Sequence, residues 1–316
     1  MTELHTESWA LEVNSLCELF GRSRQAYYQR TRYNYKQWAK SEILCQLVEK
    51  QREMMPRIGG RKLFKIIAGS LPEEMKMGRD SFFDFLRENG LLVRKRKNRV
   101  RTTYSNHWLH KYPNLVKEFI PVRPHQLLVS DITYISTNEG FGYLNLITDA
   151  YSRKITGWAL GETLESRYTV DALKMAIKQM PKGIKDVFHH SDRGVQYCSN
   201  EYVKILKKRK FKISMTEDGD PRENAIAERV NGILKDEWLN QMKLQSLGEA
   251  SRQLQQIIRI YNEQRPHASL DMMTPQYAHN QSGEFKKHWK NYYYKKGNDE
   301  KKINSFISPN GAMVKP

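Results

Sequence analysis

The sequence lacks any apolar run approaching the ~20 residues of a membrane-spanning helix, so it offers no such segment. Its first residues, MTELHTESWALEVN, are mildly acidic and hold no apolar stretch of the kind a secretory signal requires. Cysteine is scarce. Cys17, Cys45 and Cys198 stand far apart, which excludes a disulfide-stapled scaffold and any CxxC zinc pattern and suits a reducing compartment. His107 and His110 form an HxxH pair, but no cysteine pair stands by to complete a zinc site. No internal repeat is present. Acid is the other shortage: 35 Asp+Glu face 53 Lys+Arg, a formal charge of +18. Phosphate backbones bind Lys and Arg by releasing counterions, so nucleic acid is the leading class of partner. An inert basic surface is the alternative. A membrane surface is disfavoured, because no basic amphipathic helix with a Trp/Phe/Leu face stands out. Hydrophobic residues make up 39% of the chain, enough to support a core in about two domains rather than wholesale disorder.

The N-terminal third reads as helical. LEVNSLCELFGRSRQAYYQRT gives two short helices around a turn: Leu16, Leu19 and Phe20 form an apolar face, Gly21 breaks it, and Ser23 caps the second helix. Arg24, Gln25, Tyr27, Tyr28 and Arg30 follow. This is the outline of a helix-turn-helix, and equally of a plain helical hairpin. Trp38, Ile43, Leu44, Leu47 and Val48 recur at helical spacing and predict a core face. IGGRKLFKII and RDSFFDFLRENG form another helix pair, with Ser81 and Asp84 as a capping box and Asn89-Gly90 as the stop. The basic run Arg94, Lys95, Arg96, Lys97, Arg99, Arg101 is an exposed connector that either grips phosphates or is simply solvated.

From His125 the texture changes to strands. QLLVSDITYI, FGYLNLITDA and RKITGWAL, joined by short connections, predict an antiparallel meander. A helix over SRYTVDALKMAIKQM follows, with Ser166 as its cap, then a strand KDVFHHS, a helix NEYVKILKKRK, a strand FKISMT and a long helix from about 222 to 240. Residues 248–261 are helical again. The fold class is therefore α/β, a mixed sheet with helices on both faces, preceded by a small all-α region. The tail holds KKHWKNYYYKKG, aromatics among lysines, which is either a nucleic-acid contact or a disordered basic segment.

Three carboxylates sit oddly. Asp131 lies mid-strand in LLVSDITYI, where an unpaired buried aspartate costs several kcal/mol. Asp192 closes the strand KDVFHHS. Glu228 lies in the helix RENAIAERVNGILKDE, next to small alanines that allow close approach to a sheet. Singly, each is more readily a cap, a turn residue or an ion pair. Together they would repel one another unless divalent cations neutralise them. Hard oxygen ligands suit Mg²⁺ or Mn²⁺, and two ions ~3.5–4 Å apart clamp the attacking and leaving oxygens of a phosphodiester displacement. Asp149 in ITDAYSR reads as turn structure. His190 and Asn224 are candidates to orient the ligands, and Gln196 and Tyr197 to touch a DNA strand end.

The stretches SDITYI, TDAYSRKITGW, HHSDRGVQYCS, SMTEDGDPRENAIAERVNGILKDE and YNEQRPHASLDMMTPQYA occur in this order. Over about residues 121–280 the chain resembles the transposases of the insertion-sequence-three family, within the retroviral-integrase superfamily. GGRKLFKI and FLRENGLL are similar, less strongly, to the helix-turn-helix region that precedes the core there. The resemblance implies a ribonuclease-H-like core and matches Asp131, Asp192 and Glu228 to the family's acidic triad, with the family's usual spacing of 35 residues between the last two. Arg222-Glu223 and Arg229 depart from the family pattern, and Leu128-Val129-Ser130 stands where a Trp often precedes the first aspartate.

The reading is a DNA transposase organised as a helical region over 1–55, a helix-turn-helix-like region and basic linker over 56–102, a catalytic core over 121–280 and a basic tail over 281–316. Lys235, two turns beyond Glu228 on the same helix face, is expected to touch DNA near the scissile phosphate. The resemblance also implies a homo-oligomer on DNA, a DNA-binding partner encoded by an upstream frame, and residence in the bacterial cytoplasm on the nucleoid. The rival readings are a non-catalytic DNA-binding relative and, far weaker, a two-carboxylate glycosidase, which explains neither the charge nor the third acid.

Overall fold

The computed structural model describes residues 12–93, 109–117, 119–217 and 221–285. The basic run Arg94–Arg101, His107 and the aromatic-basic tail lie outside the described residues. Among the described residues no helix is long and apolar enough to cross a membrane.

Helix α1 (Val13–Leu19) ends at a turn where Gly21 takes φ 60°, and Ser23 caps α2 by accepting a bond from the Ala26 N–H at 3.1 Å. The second helix is not short. α2 runs unbroken over Arg24–Met54, because neither glycine nor proline interrupts that stretch. Leu44 and Val48 are buried as the spacing predicts, but Trp38 and Ile43 are exposed, and no residue of α2 before Leu44 is buried. α3 (Gly60–Ala68) and α4 (Arg79–Glu88) form the second pair. Ser81 is not a cap. α4 starts a turn earlier, with Gly78 at the N-cap position. Its end is as expected: Gly90 takes φ 65° and the Leu91 N–H closes back on Leu86 O at 2.7 Å.

The sheet has the order β3-β2-β1-β4-β5. β1 (Leu127–Thr137), β2 (Gly140–Asp149) and β3 (Ile155–Gly161) form the antiparallel meander, while β4 (Phe188–Ser191) and β5 (Lys212–Met215) continue the sheet in parallel from β1. Side chains alternate between two cores along β2. Leu144 and Leu146 pack with α7 (Ala225–Glu237), α8 (Leu247–Glu263) and the buried residues of α2 to α4. Ile147 packs on the other face with α5 (Ser166–Lys178) and α6 (Asn200–Lys208). Helices thus cover both faces, and the architecture is the ribonuclease-H-like mixed sheet. Ser166 is the first residue of α5 rather than its cap, a position held by Glu165. α5 approaches β3 so closely at Gly157 that a Cβ there would lie 2.1 Å from Ala172 O. A short α9 (Pro275–Ala278) closes the described chain.

Candidate active site

β1 and β4 are neighbouring parallel strands in the register Val129↔His190. Asp131 follows two residues after Val129 within β1, and Asp192 two residues after His190, just past the end of β4. β4 ends at Ser191, so Asp192 leaves the sheet at its mouth, where its Oδ1 accepts the Gly194 N–H at 3.0 Å. Asp131 is half-buried. Its Oδ1 accepts the Ile132 N–H at 3.0 Å and its Oδ2 accepts Asn231 Nδ2 at 2.8 Å.

Desolvation pushes the Asp131 carboxyl up to about 7. The negative charges of Asp192 and, more weakly, Glu228 push the same way, against the opposing bonds from Asn231 and Ile132. Glu228 sits in the first turn of α7, exposed, at the positive end of the helix dipole. The fold thus brings Asp192 and Glu228 close enough for both charges to bear on Asp131. Among the described residues no three His, Cys, Asp or Glu side chains are gathered tightly enough to hold one metal ion between them.

α7 is tied to β1 by two asparagines seven residues apart, hence on one helix face. Asn224 Nδ2 donates to Ser130 O at 3.0 Å, and Asn231 holds Asp131. Asn231 was not singled out from the sequence. Its signal was there: a buried asparagine amid the apolar positions Val230, Ile233 and Leu234, in register with Asn224. Asn224 and His190 were expected to orient the carboxylates. Asn224 bonds to Ser130 O, the residue before Asp131, and His190 Nδ1 to Ser214 Oγ at 2.9 Å. Tyr197 is buried, its ring packed against those of His189 and Tyr202, so it faces the core rather than a DNA strand. Gln196 Nε2 donates to Leu164 O. Asp149 is the turn residue expected: buried, it accepts the Ser152 N–H and Oγ–H at 2.8 Å each and the His125 N–H at 2.6 Å.

A groove of about 370 Å³ runs along α7 from Glu228 past Arg229, Gly232 and Asp236 to Glu237. Lys235 lies on the same helix, half-buried. At the far end Glu237 pairs with Arg265 through two bonds, 2.7 and 2.6 Å, with Lys62 of α3 at 3.8 Å. The neighbouring Trp238 Nε1 donates to Met54 O at the end of α2 at 2.7 Å. The helix bearing Glu228 is therefore anchored to the sheet at one end and to the helical region at the other.

Two family models, both described as an integrase core domain, match residues 121–221 and 209–275. The chain is 34% identical over 266 residues to the uncharacterized 31 kDa protein of insertion element IS600 from Shigella sonnei, covering 82% of this chain and 96% of that protein. It is 30% identical over 264 residues to the transposase of insertion sequence IS629 from the same organism, covering 83% and 82%. With transposase InsF of insertion sequence IS3A from Escherichia coli K12 it shares 30% over 238 residues, covering 72% of this chain and 80% of InsF. With the integrase-core matches spanning its sheet and relatives of this extent, the chain belongs to the insertion-sequence-three family of transposases, DNA-transposing enzymes of the retroviral-integrase superfamily.

Proposed function

We propose that Asp131, Asp192 and Glu228 are the catalytic carboxylates, and that the protein cuts the ends of an insertion sequence and joins them to target DNA. One observation carries this reading: Asp131 on β1 feels the negative charges of Asp192, which stands just past the end of the neighbouring parallel strand β4, and of Glu228 on α7. The donor chemistry fits Mg²⁺ or Mn²⁺, since all three groups are hard anionic oxygens whose mutual repulsion a divalent cation relieves. Asp131 and Asp192 would hold the ions, two in number, and Glu228 would complete the set from α7. Bound there, the ions supply activation of the attacking oxygen and charge stabilisation for the leaving one.

The chain's own residues do the positioning. Asn231 fixes the Asp131 carboxylate, the Gly194 N–H fixes Asp192, and Asn224 holds the start of α7 against β1. In the first step the water oxygen bonds to phosphorus and the P–O3′ bond breaks, freeing a 3′-hydroxyl. In the second, that hydroxyl attacks another phosphodiester and displaces its 3′-oxygen. Each step exchanges one P–O bond for another, with the attacking oxygen's proton passing to solvent and the leaving oxygen taking one up. No protein nucleophile is required; orientation and charge stabilisation suffice.

Lys235 serves as a phosphate contact beyond Glu228. Arg94, Lys95, Arg96, Lys97, Arg99 and Arg101 serve as phosphate contacts in the linker. Two DNA ends call for more than one copy of the chain, and an upstream-frame DNA-binding partner for recognition of the terminal repeats.

The test is strand joining with a labelled duplex carrying the element end and a plasmid target, in Mg²⁺, Mn²⁺ or EDTA, for wild type and Asp192→Asn. We expect metal-dependent joined product that the variant loses while still binding DNA. Binding without joining in any metal, with the upstream partner present, overturns the catalytic reading and leaves a non-catalytic DNA-binding protein.

A further inference from the structure

The C-terminal ends of α5 and α6 share a pocket of about 410 Å³. Part of its lining is apolar: Phe211 is buried, and Ile177, Met180 and Ile184 are half-buried against the core. The rest is basic. Lys178, Lys182, Lys208, Arg209 and Lys210 all line it, all are exposed, and no acid stands among them. The neighbouring carboxylates face other cations: Asp171 and Glu201 lie toward Lys174, and Asp186 pairs with Lys212 at 2.9 Å. Lys178 and Lys208 end their helices, where the dipole favours a cation. Lys182 and Lys210 lie past the helix ends, where that effect has faded.

Lys210 separates a site from a solvated surface. It takes φ 57°, its N–H donates to Lys207 O and the Phe211 N–H to Leu206 O, each at 2.9 Å. This is the left-handed helix stop at which glycine is the stable choice. α1 and α4 close with the same pair of bonds and carry Gly21 and Gly90 there. α6 instead gives up that stability for a side chain that lines the pocket. The place is also distinct. Lys212, next to Phe211, pairs with Phe188 at the start of β4, and Asp192 follows its other end. Four residues of strand, about 13 Å, lie between the two ends. Charge decides the occupant. A second copy of this face would set cations against cations, whereas each strand of a duplex offers a phosphate every ~3.4 Å of axis.

We propose that the pocket between the ends of α5 and α6 is a phosphate-binding site, with Lys182 and Lys210 on phosphates of a DNA duplex at a point away from the bond being cut. The proposal rests on the reading of the chain as a DNA-acting enzyme.

Its test is fluorescence anisotropy of the full chain with a labelled duplex of roughly 30 base pairs across a salt series. The variants are Lys182→Gln/Lys210→Gly and Lys210→Gly alone, beside the charge-matched control Lys243→Gln/Arg252→Gln on the surface around α8. Each lost phosphate contact flattens the plot of log K against log salt by about 0.9, so the pocket double variant should be shallower by about 1.8 and the control unchanged. Lys210→Gly should flatten the slope by about 0.9 and at the same time raise the melting temperature, because glycine relieves the left-handed backbone. That single variant reads the site even if the double variant melts early. A parallel arm follows the melting temperature with inorganic pyrophosphate at constant ionic strength.

A Lys210→Gly variant that melts higher and keeps the wild-type duplex slope overturns the proposal, as does a control that flattens as much as the pocket variant. Pyrophosphate that stabilises wild type but not the pocket variant, beside an unchanged duplex slope, also overturns the duplex as the source; the pocket then takes a free phosphate compound. A wild type that binds no duplex at all overturns the DNA-acting reading itself, whereas a wild type that binds beside pocket variants of unchanged slope overturns only the role of this pocket.

Discussion

The buried charge network at the end of α7 gives a prediction with an asymmetry built in. Arg265 is 1% exposed and its guanidinium grips Glu237 in two bonds. Lys62 faces the same carboxylate at 3.8 Å. Desolvation first, and then the positive charge of Arg265, drop the Lys62 ammonium from 10.5 to about 8, in spite of the pull of Glu237. That drop is roughly 3 kcal/mol against the cation.

Removing the carboxylate leaves two cations facing each other in a largely buried site at the end of the groove, so Glu237→Gln should cost about 3 kcal/mol. In a chain of this size that is roughly 10 °C of melting temperature. Arg265→Met should cost less, because Lys62 remains to balance Glu237. Lys62→Met should be neutral or stabilising at pH 7, and Glu237→Gln/Lys62→Met should recover part of the Glu237→Gln loss, a coupling between neighbours that additive variants would not show.

The pH sign is fixed by the direction of the shift. Lys62 is charged in both states below about pH 8. Between 8 and 10.5 the unfolded chain holds the proton and the folded one does not, so stability rises with pH in that window. The advantage of Lys62→Met should therefore fade as pH rises through it. Urea melts of the four variants at pH 7 and 10 read all of this. The reasoning fails if Glu237→Gln lies within about 1 kcal/mol of wild type, a cost too small for breaking a buried pair.

Two further outcomes follow from close packing and burial. Gly157→Ala must push α5 off β3, since the new methyl would meet the backbone of Ala172 and Ala176, and should cost about 1–3 kcal/mol in denaturant melts; a neutral result refutes the close approach. His189 is buried, bonded through Nε2 to Ser130 Oγ and Tyr202 OH at 2.9 and 2.8 Å, and burial holds it at about 3 instead of 6.5. Below pH 6.5 the unfolded chain takes up a proton that the folded one refuses, so this residue removes about 1.4 kcal/mol of stability per pH unit down to about 3. His189→Gln should flatten the fall of stability between pH 6.5 and 4 by that amount, and parallel curves would refute it.

By itself the sequence determined the strands, the order of elements and three carboxylates standing in unusual places, because alternation, turn residues and an acid inside an apolar run are local signals. Asp131 was legible for that reason, and so were the Gly90 stop and the turn at Asp149. Only the tertiary structure decided what those local signals meet. That the charge of Asp192 bears on Asp131 comes from β4 pairing in parallel with β1 across 60 residues of chain, a register no local pattern encodes. Asn231 became the partner of Asp131 through packing of α7 on the sheet, and Tyr197 went inward for the same reason. The helical spacing of Trp38 and Ile43 looked like core spacing, yet periodicity says only which side chains share a face. Whether anything covers that face is decided by the rest of the fold, and no residue of α2 is buried before Leu44.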